Sequence, residues 1–239
     1  MMNFIDAVLS YVFPPRCISC AEVLPINYLD RMCGDCHGLL ERCGNDASGQ
    51  SFSLYEYNDT VRHAIHRFKY GLRRDYGKYL GALMAEHASE VLPRGSAVDV
   101  VVPVPLHADK LRERGFNQAE ILAEAVCERL GLALDASALT RVRSTEHQAR
   151  LSASERRENM ENAFAVRDTG LVGGKTVLLI DDIYTTGSTV SACTSVLLRA
   201  GANRVFSYAF SKATLEDSRN YEKILKLSKN ANINDKLFR

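Results

Sequence analysis

The stretch Val177-Leu178-Leu179-Ile180-Asp181-Asp182-Ile183-Tyr184-Thr185-Thr186-Gly187-Ser188-Thr189 decides how the rest of the chain is read. Val177 to Ile180 is a continuous apolar run, as expected of a central parallel strand covered on both faces. Asp181 and Asp182 follow at its carboxyl end, where open α/β sheets place their ligands. Carboxylates there accept short, strong hydrogen bonds from sugar hydroxyls. Thr185, Thr186, Gly187, Ser188 and Thr189 then offer backbone N–H groups and hydroxyls at a helix N-terminus, a ready anion site. Gly187 allows positive φ and close approach of the backbone. Together these parts suit a ribose 5-phosphate. Two plainer readings are a Rossmann-like strand whose acids cap a turn, and a receiver-type phosphoacceptor pocket. The second would not require Thr-Thr-Gly-Ser-Thr next. The loop after the strand carries no Gly-Lys-Ser/Thr, so it is not a Walker A loop.

The 239 residues suffice for one domain of ordinary size and a small module. With 46% hydrophobic and 25% charged residues the chain can bury a real core. A net charge of +1 gives no global field to attract nucleic acid or a membrane, so any basic surface is local. Met1 to Phe13 has apolar residues at helical spacing and ends at Pro14-Pro15, which predicts a short packed helix. Its apolar stretch is too short for membrane insertion, and Asp6 without a leading cation argues against a signal peptide. A cytoplasmic location is expected.

Five of the seven cysteines fall between Cys17 and Cys43. Cys17-x2-Cys20 and Cys33-x2-Cys36 are two knuckles whose four thiolates can surround one tetrahedral Zn²⁺. The segment is too short for its own core, so metal would supply much of its folding energy. Disulfides are disfavoured in a reducing compartment, and a redox CxxC would want a thioredoxin-like context that is missing here. His37 and Cys43 are possible substitute ligands. Four cysteines leave no open position for catalysis, so a structural site is expected. Cys127 and Cys193 fall on predicted helices and read as small core residues.

Ser51 to Tyr57 and Val98 to Val102 read as strands, and Val205 to Phe210 as another. Helices are predicted over Val61 to Tyr70, Arg74 to Leu92, Leu111 to Leu130 and Ser188 to Ala200. This alternation implies parallel βαβ units: an α/β fold with a central, mostly parallel sheet flanked by helices. The expected division is an N-terminal helix and four-cysteine zinc-binding module over 1–50, the α/β domain over 51–215 and a polar, lysine-rich tail over 216–239.

Val102-Pro103-Val104-Pro105-Leu106-His107 ends a second core strand, so its loop, with Pro105, should open on the same sheet edge. Lys110, Arg112 and Arg114 place three cations beside it, a setting for an anion; a solvated helix start is the plainer alternative. His107 reads as a turn residue. The long stretch Arg141 to Arg157, with Arg143 and Arg150, is polar and arginine-rich, as suits a lid over an active site. It lacks the aromatic residues of a single-strand nucleic-acid platform.

The Asp181-Asp182 segment resembles the 5-phosphoribosyl-1-diphosphate (PRPP) motif of type I phosphoribosyltransferases. With the paired knuckles, Lys69-Tyr70-Gly71, Pro103-Val104-Pro105, Arg114-Gly115-Phe116-Asn117-Gln118, Gln148 with Arg150-Leu151, and Arg157-x-Asn159, the chain resembles the ComF/GntX family from Cys17 to Phe210. The resemblance implies a type I phosphoribosyltransferase-like fold and a link to DNA uptake and use in competent bacteria. By the same resemblance Asp181 and Asp182 hold the ribose hydroxyls and Thr185 to Thr189 the 5′-phosphate, while the Pro105 loop with Lys110, Arg112 and Arg114 receives the departing pyrophosphate.

Two functions from different classes compete. One is transfer of phosphoribosyl from PRPP, with Mg²⁺, to an unidentified nitrogen acceptor, with Asp181, Asp182, Arg143 and Arg150 in catalytic places. The other is a non-catalytic protein of the competence machinery that senses PRPP or holds single-stranded DNA, in company with competence proteins. A regulator resembling purine repressors lacks a recognisable helix-turn-helix segment.

Overall fold

The fold is built on a sheet of four parallel strands in the order β1-β6-β5-β2. They are β1 (Ser51–Glu56), β2 (Val100–Pro103), β5 (Thr176–Tyr184) and β6 (Arg204–Lys212). A separate antiparallel ribbon joins β3 (Leu139–Arg141) to β4 (Phe164–Val166). The helices are α1 (Gly34–Gly38), α2 (Asp59–Tyr70), α3 (Arg74–Val91), α4 (Ala108–Arg114), α5 (Gln118–Leu130) and α6 (Ser188–Arg199). The computed structural model describes residues 14–26, 30–44, 49–71, 73–92, 98–143, 162–214 and 216–217. The expected N-terminal helix, the stretch 144–161 with Arg150, and the tail beyond 217 lie outside the described residues.

Period-two alternation sorts the strand side chains into two layers. Leu178, Ile180, Phe206, Tyr208 and Phe210 face a core completed by α2, α3 and α5. Val177, Leu179, Val102 and Val205 face a second core with α6 and the β3–β4 ribbon. Both faces are therefore covered, which is why β5 reads as an unbroken apolar run rather than an alternating one. Cys127 and Cys193 are buried in these layers, as their helical positions predict. The buried hydroxyl of Tyr208, on β6, donates to the Met84 carbonyl at 3.0 Å and so ties the sheet to α3.

Among the described residues, the apolar side chains of the cysteine module join the core of the sheet. Ile18 and Met32, both fully buried, join the cluster of Phe68, Ile65 and Met84. An isolated bridge between Arg42 and Tyr55 lays the end of the module against β1. Arg67 on α2 donates from Nη1 to the Cys17 carbonyl at 3.1 Å.

Three expectations are corrected. The helix predicted over Leu111 to Leu130 is two helices, because Gly115 adopts φ 73° and ends α4, while Asn117 caps the start of α5. The strand predicted over Val177 to Ile180 continues to Tyr184, since β6 pairs with it as far as Lys212. Arg141, read as the start of a loop, belongs to β3. Among the described residues, no helix is long and apolar enough to cross a membrane.

Candidate functional site

β2 is shorter than β5, and the site lies where the two part. Pro103 pairs with Ile180, the Val104 N–H donates to the Ile180 carbonyl at 2.9 Å, and β2 then turns away. Asp181 and Asp182 stand on the next stretch of β5, which β6 still flanks on its other side. The space left is a cleft of about 370 Å³. Asp181, Asp182, Lys69, Arg114, Arg141 and Thr189 line it, with Pro105 and Thr185.

The two acids differ in their surroundings. Asp182 Oδ2 lies 2.8 Å from Lys69 Nζ, and both side chains are nearly buried. Asp181 Oδ1 accepts the Asp182 N–H at 2.8 Å. Burial first, and then the neighbouring Asp182 carboxylate, push the Asp181 carboxyl up to about 7, against the pull of the Asp182 N–H, Lys69 and Arg141. The pair can therefore offer acceptor oxygens to sugar hydroxyls and hold a proton near neutrality.

The loop from Thr185 to Thr189 is held from within. Thr186 Oγ1 and Ser188 Oγ are 2.6 Å apart, and the Ser188 N–H donates to Thr186 Oγ1 at 3.3 Å. Gly187 occupies the N-cap of α6 at φ 73° and brings no capping side chain. A Cβ there would run into the Tyr184 hydroxyl, so both backbone and space call for glycine. A twelve-residue helix without a side-chain cap thus opens at the same cleft that the acids line.

The three cations of α4 are placed differently. Arg114 lines the cleft, its Nη1 donating to Gln118 Oε1 at 2.9 Å and its guanidinium lying 5.4 Å from the Tyr70 ring. Lys110 pairs with Glu113 at 3.4 Å and Arg112 with Asp109, both on α4 itself. His107 caps that helix, its Nδ1 accepting the Asp109 N–H at 3.3 Å. Arg143 is exposed just beyond β3. Lys69, Gln118 and Arg141 are among the cleft residues given no site role from sequence. Lys69 had a signal: it sits one helical turn after Ile65, beside the buried stripe of Val61, Ile65 and Phe68, where a cation needs an anionic partner.

In the module the sulfurs of Cys17, Cys20, Cys33 and Cys36 all lie within 4.8 Å of one another. Cys20 Sγ and Cys33 Sγ are 3.7 Å apart. Tetrahedral thiolates around a zinc ion would be separated by about 3.8 Å, so the donor set fits a metal. Burial alone would raise the Cys17 thiol, but the amides of Cys33, Cys20 and Ser19 outweigh it and bring it down to about 7. Neither His37 nor Cys43 belongs to the cluster.

A phosphoribosyl transferase domain model matches residues 112–235, just over half of the chain. The DNA utilization protein YhgH of Salmonella typhi is 34% identical over 157 residues, covering 64% of this chain and 67% of its own. Competence protein F of Haemophilus influenzae is 27% identical over 202 residues, covering 83% and 85%. Among solved structures, the allosteric regulatory enzyme of purine biosynthesis aligns with a TM-score of 0.43 at 20% identity. This chain spans 30% of that protein's chain, and the alignment takes in 67% of this one. With a parallel α/β sheet, strand-end acids, a helix-opening glycine loop and a four-cysteine cluster, the chain belongs to the ComF family of type I phosphoribosyltransferase-like proteins.

Proposed function

We propose that the cleft binds PRPP with Mg²⁺ and that the chain transfers the phosphoribosyl group to a nitrogen acceptor, releasing pyrophosphate. The observation that carries this reading is a single cleft lined both by the Asp181–Asp182 pair and by the opening of α6. A pentose 5-phosphate needs those two features together: acceptors for its diol and donors for its terminal anion. Asp181 and Asp182 hold the 2′- and 3′-hydroxyls, and the amides of Thr185 to Thr189 hold the 5′-phosphate. Arg114 meets the pyrophosphate, with Pro105 shaping the loop beside it. As the bond from carbon 1 to pyrophosphate breaks, positive charge spreads over the ribose ring, and the half-buried acid pair stabilises it. The chain otherwise acts by positioning the reactants.

Mg²⁺ carried in with PRPP would neutralise charge on the pyrophosphate. Cys17, Cys20, Cys33 and Cys36 would hold zinc in a structural site, since all four ligands would come from protein. The names of the relatives support a role in DNA uptake or use during natural competence.

Calorimetry with PRPP and Mg²⁺ tests the reading on wild type, Asp181→Asn and Asp182→Asn. Wild type binds, and each variant loses about tenfold or more in affinity, as expected when a charge-assisted hydrogen bond is weakened. No binding by zinc-loaded wild type would overturn it. Binding without pyrophosphate release across a panel of nucleobases and amines would leave a PRPP sensor. Tight, salt-sensitive binding of single-stranded DNA without turnover would favour the DNA-holding role instead.

A further inference from the structure

Lys69 is an unusual side chain for the face it occupies. α2 buries Val61, Ala64, Ile65 and Phe68 against the sheet, and Lys69 follows them inward to 8% exposure. A buried ammonium costs several kcal/mol unless it is paired, so its place is set by the carboxylate it meets, Asp182, at 2.8 Å. The constraint is mutual. Asp182 is turned toward Lys69 by the same contact, and its backbone N–H is committed to Asp181.

We infer that Lys69 is the positioning residue of the acid pair: its ammonium fixes the orientation of Asp182 and balances the charge of the pair, so that two adjacent carboxyls act as one diol-binding unit for a sugar phosphate. The diol part rests on the PRPP reading above; the charge-setting part does not. Two enclosed carboxyls on consecutive residues cannot both be anionic without a counter-charge. Lys69, from α2, supplies it from one side, and Arg141, from β3, contributes from another. Among the described residues, Tyr57, whose phenol feels the Asp182 charge, and the buried thiol of Cys193 on α6, which feels that of Asp181, also face the pair, and neither brings a positive charge. Arg114 lines the same cleft, with its guanidinium engaged by Gln118. Loss of the ammonium therefore leaves the Asp182 charge unbalanced beside Asp181, which then gives up its proton only at higher pH.

The test uses full-length, zinc-loaded wild type, Lys69→Met and Lys69→Arg. Carbon-13 carboxyl titration of the ligand-free proteins, with Asp181 and Asp182 assigned through their Asn variants, reads the charge directly. Lys69→Met moves the midpoint of the pair upward by about one pH unit or more, and Lys69→Arg restores it. Calorimetry with PRPP and Mg²⁺ between about pH 6 and 9 shows the same displacement, with about tenfold weaker binding by Lys69→Met near neutrality. A folded Lys69→Met protein whose carboxyl midpoint is that of wild type overturns the inference, whatever it binds. A displaced midpoint with no PRPP binding by wild type at any pH supports the Lys69 inference and sinks the PRPP reading. If Lys69→Met does not fold, Lys69→Gln carries the same titration.

Discussion

At Asp181, burial and the adjacent Asp182 carboxylate hold the carboxyl near 7, well above the ordinary aspartate value of about 3.9. Between those two values the folded state binds the proton more tightly than the unfolded state. Stability contributed by this group is thus fully present below about pH 4 and is lost as pH rises through about 7. Asp181→Asn keeps an oxygen for the Asp182 N–H and removes the penalty. Its melting temperature at about pH 8 should exceed that of wild type by an amount worth on the order of 1–3 kcal/mol. Thermal melts from about pH 5 to 8 should show the gap closing toward acid. Equal melting temperatures at the alkaline end would mean that Asp181 ionises freely. The gain in stability would come with lost PRPP affinity, since an acid kept in an unfavourable place is common where function requires it. The acids themselves were legible because they end an apolar run; their partner Lys69 was not assigned, because only folding brings α2 and β5 together.

At the level of elements, the entrance to the cleft depends on a break in a helix. Leu111 to Leu130 has the residue pattern of one helix, yet Gly115 ends α4 in the left-handed region and α5 begins afresh. Between them Phe116 is buried and stacks on Phe68 with ring centroids 5.6 Å apart, so an apolar anchor replaces the missing helical turn. Asn117 secures the restart: its Oδ1 accepts the Ala119 N–H at 3.2 Å and its Nδ2 donates to the Val104 carbonyl at 3.0 Å. Asn117→Ala loses a cap and a tie to the end of β2, and should cost about 1–3 kcal/mol. Denaturant unfolding measures that loss. Affinity for PRPP should fall in the same variant, because Gln118 and Ala119 line the cleft. A glycine followed two residues later by asparagine is a stop and start signal that the sequence contains, but the apolar spacing on either side overrode it. The buried strands were legible in kind because both faces are covered. Their order was not, since β1 lies beside the last strand of the sheet and β2 at the opposite edge. The β3–β4 ribbon escaped for a related reason: its two short strands are far apart in sequence and are recognisable only by their pairing.

For the molecule as a whole, the four-cysteine cluster and the α/β sheet share one core. Ile18 and Met32 pack with Ile65, Phe68 and Met84, and Arg67 reaches from α2 to the carbonyl of Cys17 itself. A module joined only by a linker would lose its metal and leave the rest of the protein unaffected. Here the knuckles position side chains that fill the layer beneath α2 and α3, so metal loss should be felt by the sheet. Cys33→Ser, or wild type stripped with a strong chelator, should release one zinc per chain. Cys33 belongs to the cluster, its sulfur 3.7 Å from that of Cys20 and its backbone nitrogen 3.4 Å from that of Cys17. The stripped protein should melt in one transition, lowered by about 5 °C or more, because losing even a few kcal/mol of ligand-linked stability shifts a domain of this size by that much. Calorimetric melting with metal analysis on the same samples checks both points. Two separate transitions, one of them at the wild-type temperature, would show that the cysteine segment folds apart from the sheet. Because α2 also carries Lys69, a shared transition has a consequence for the cleft. The helix that rests on the knuckles is the one that delivers the counter-charge to Asp182.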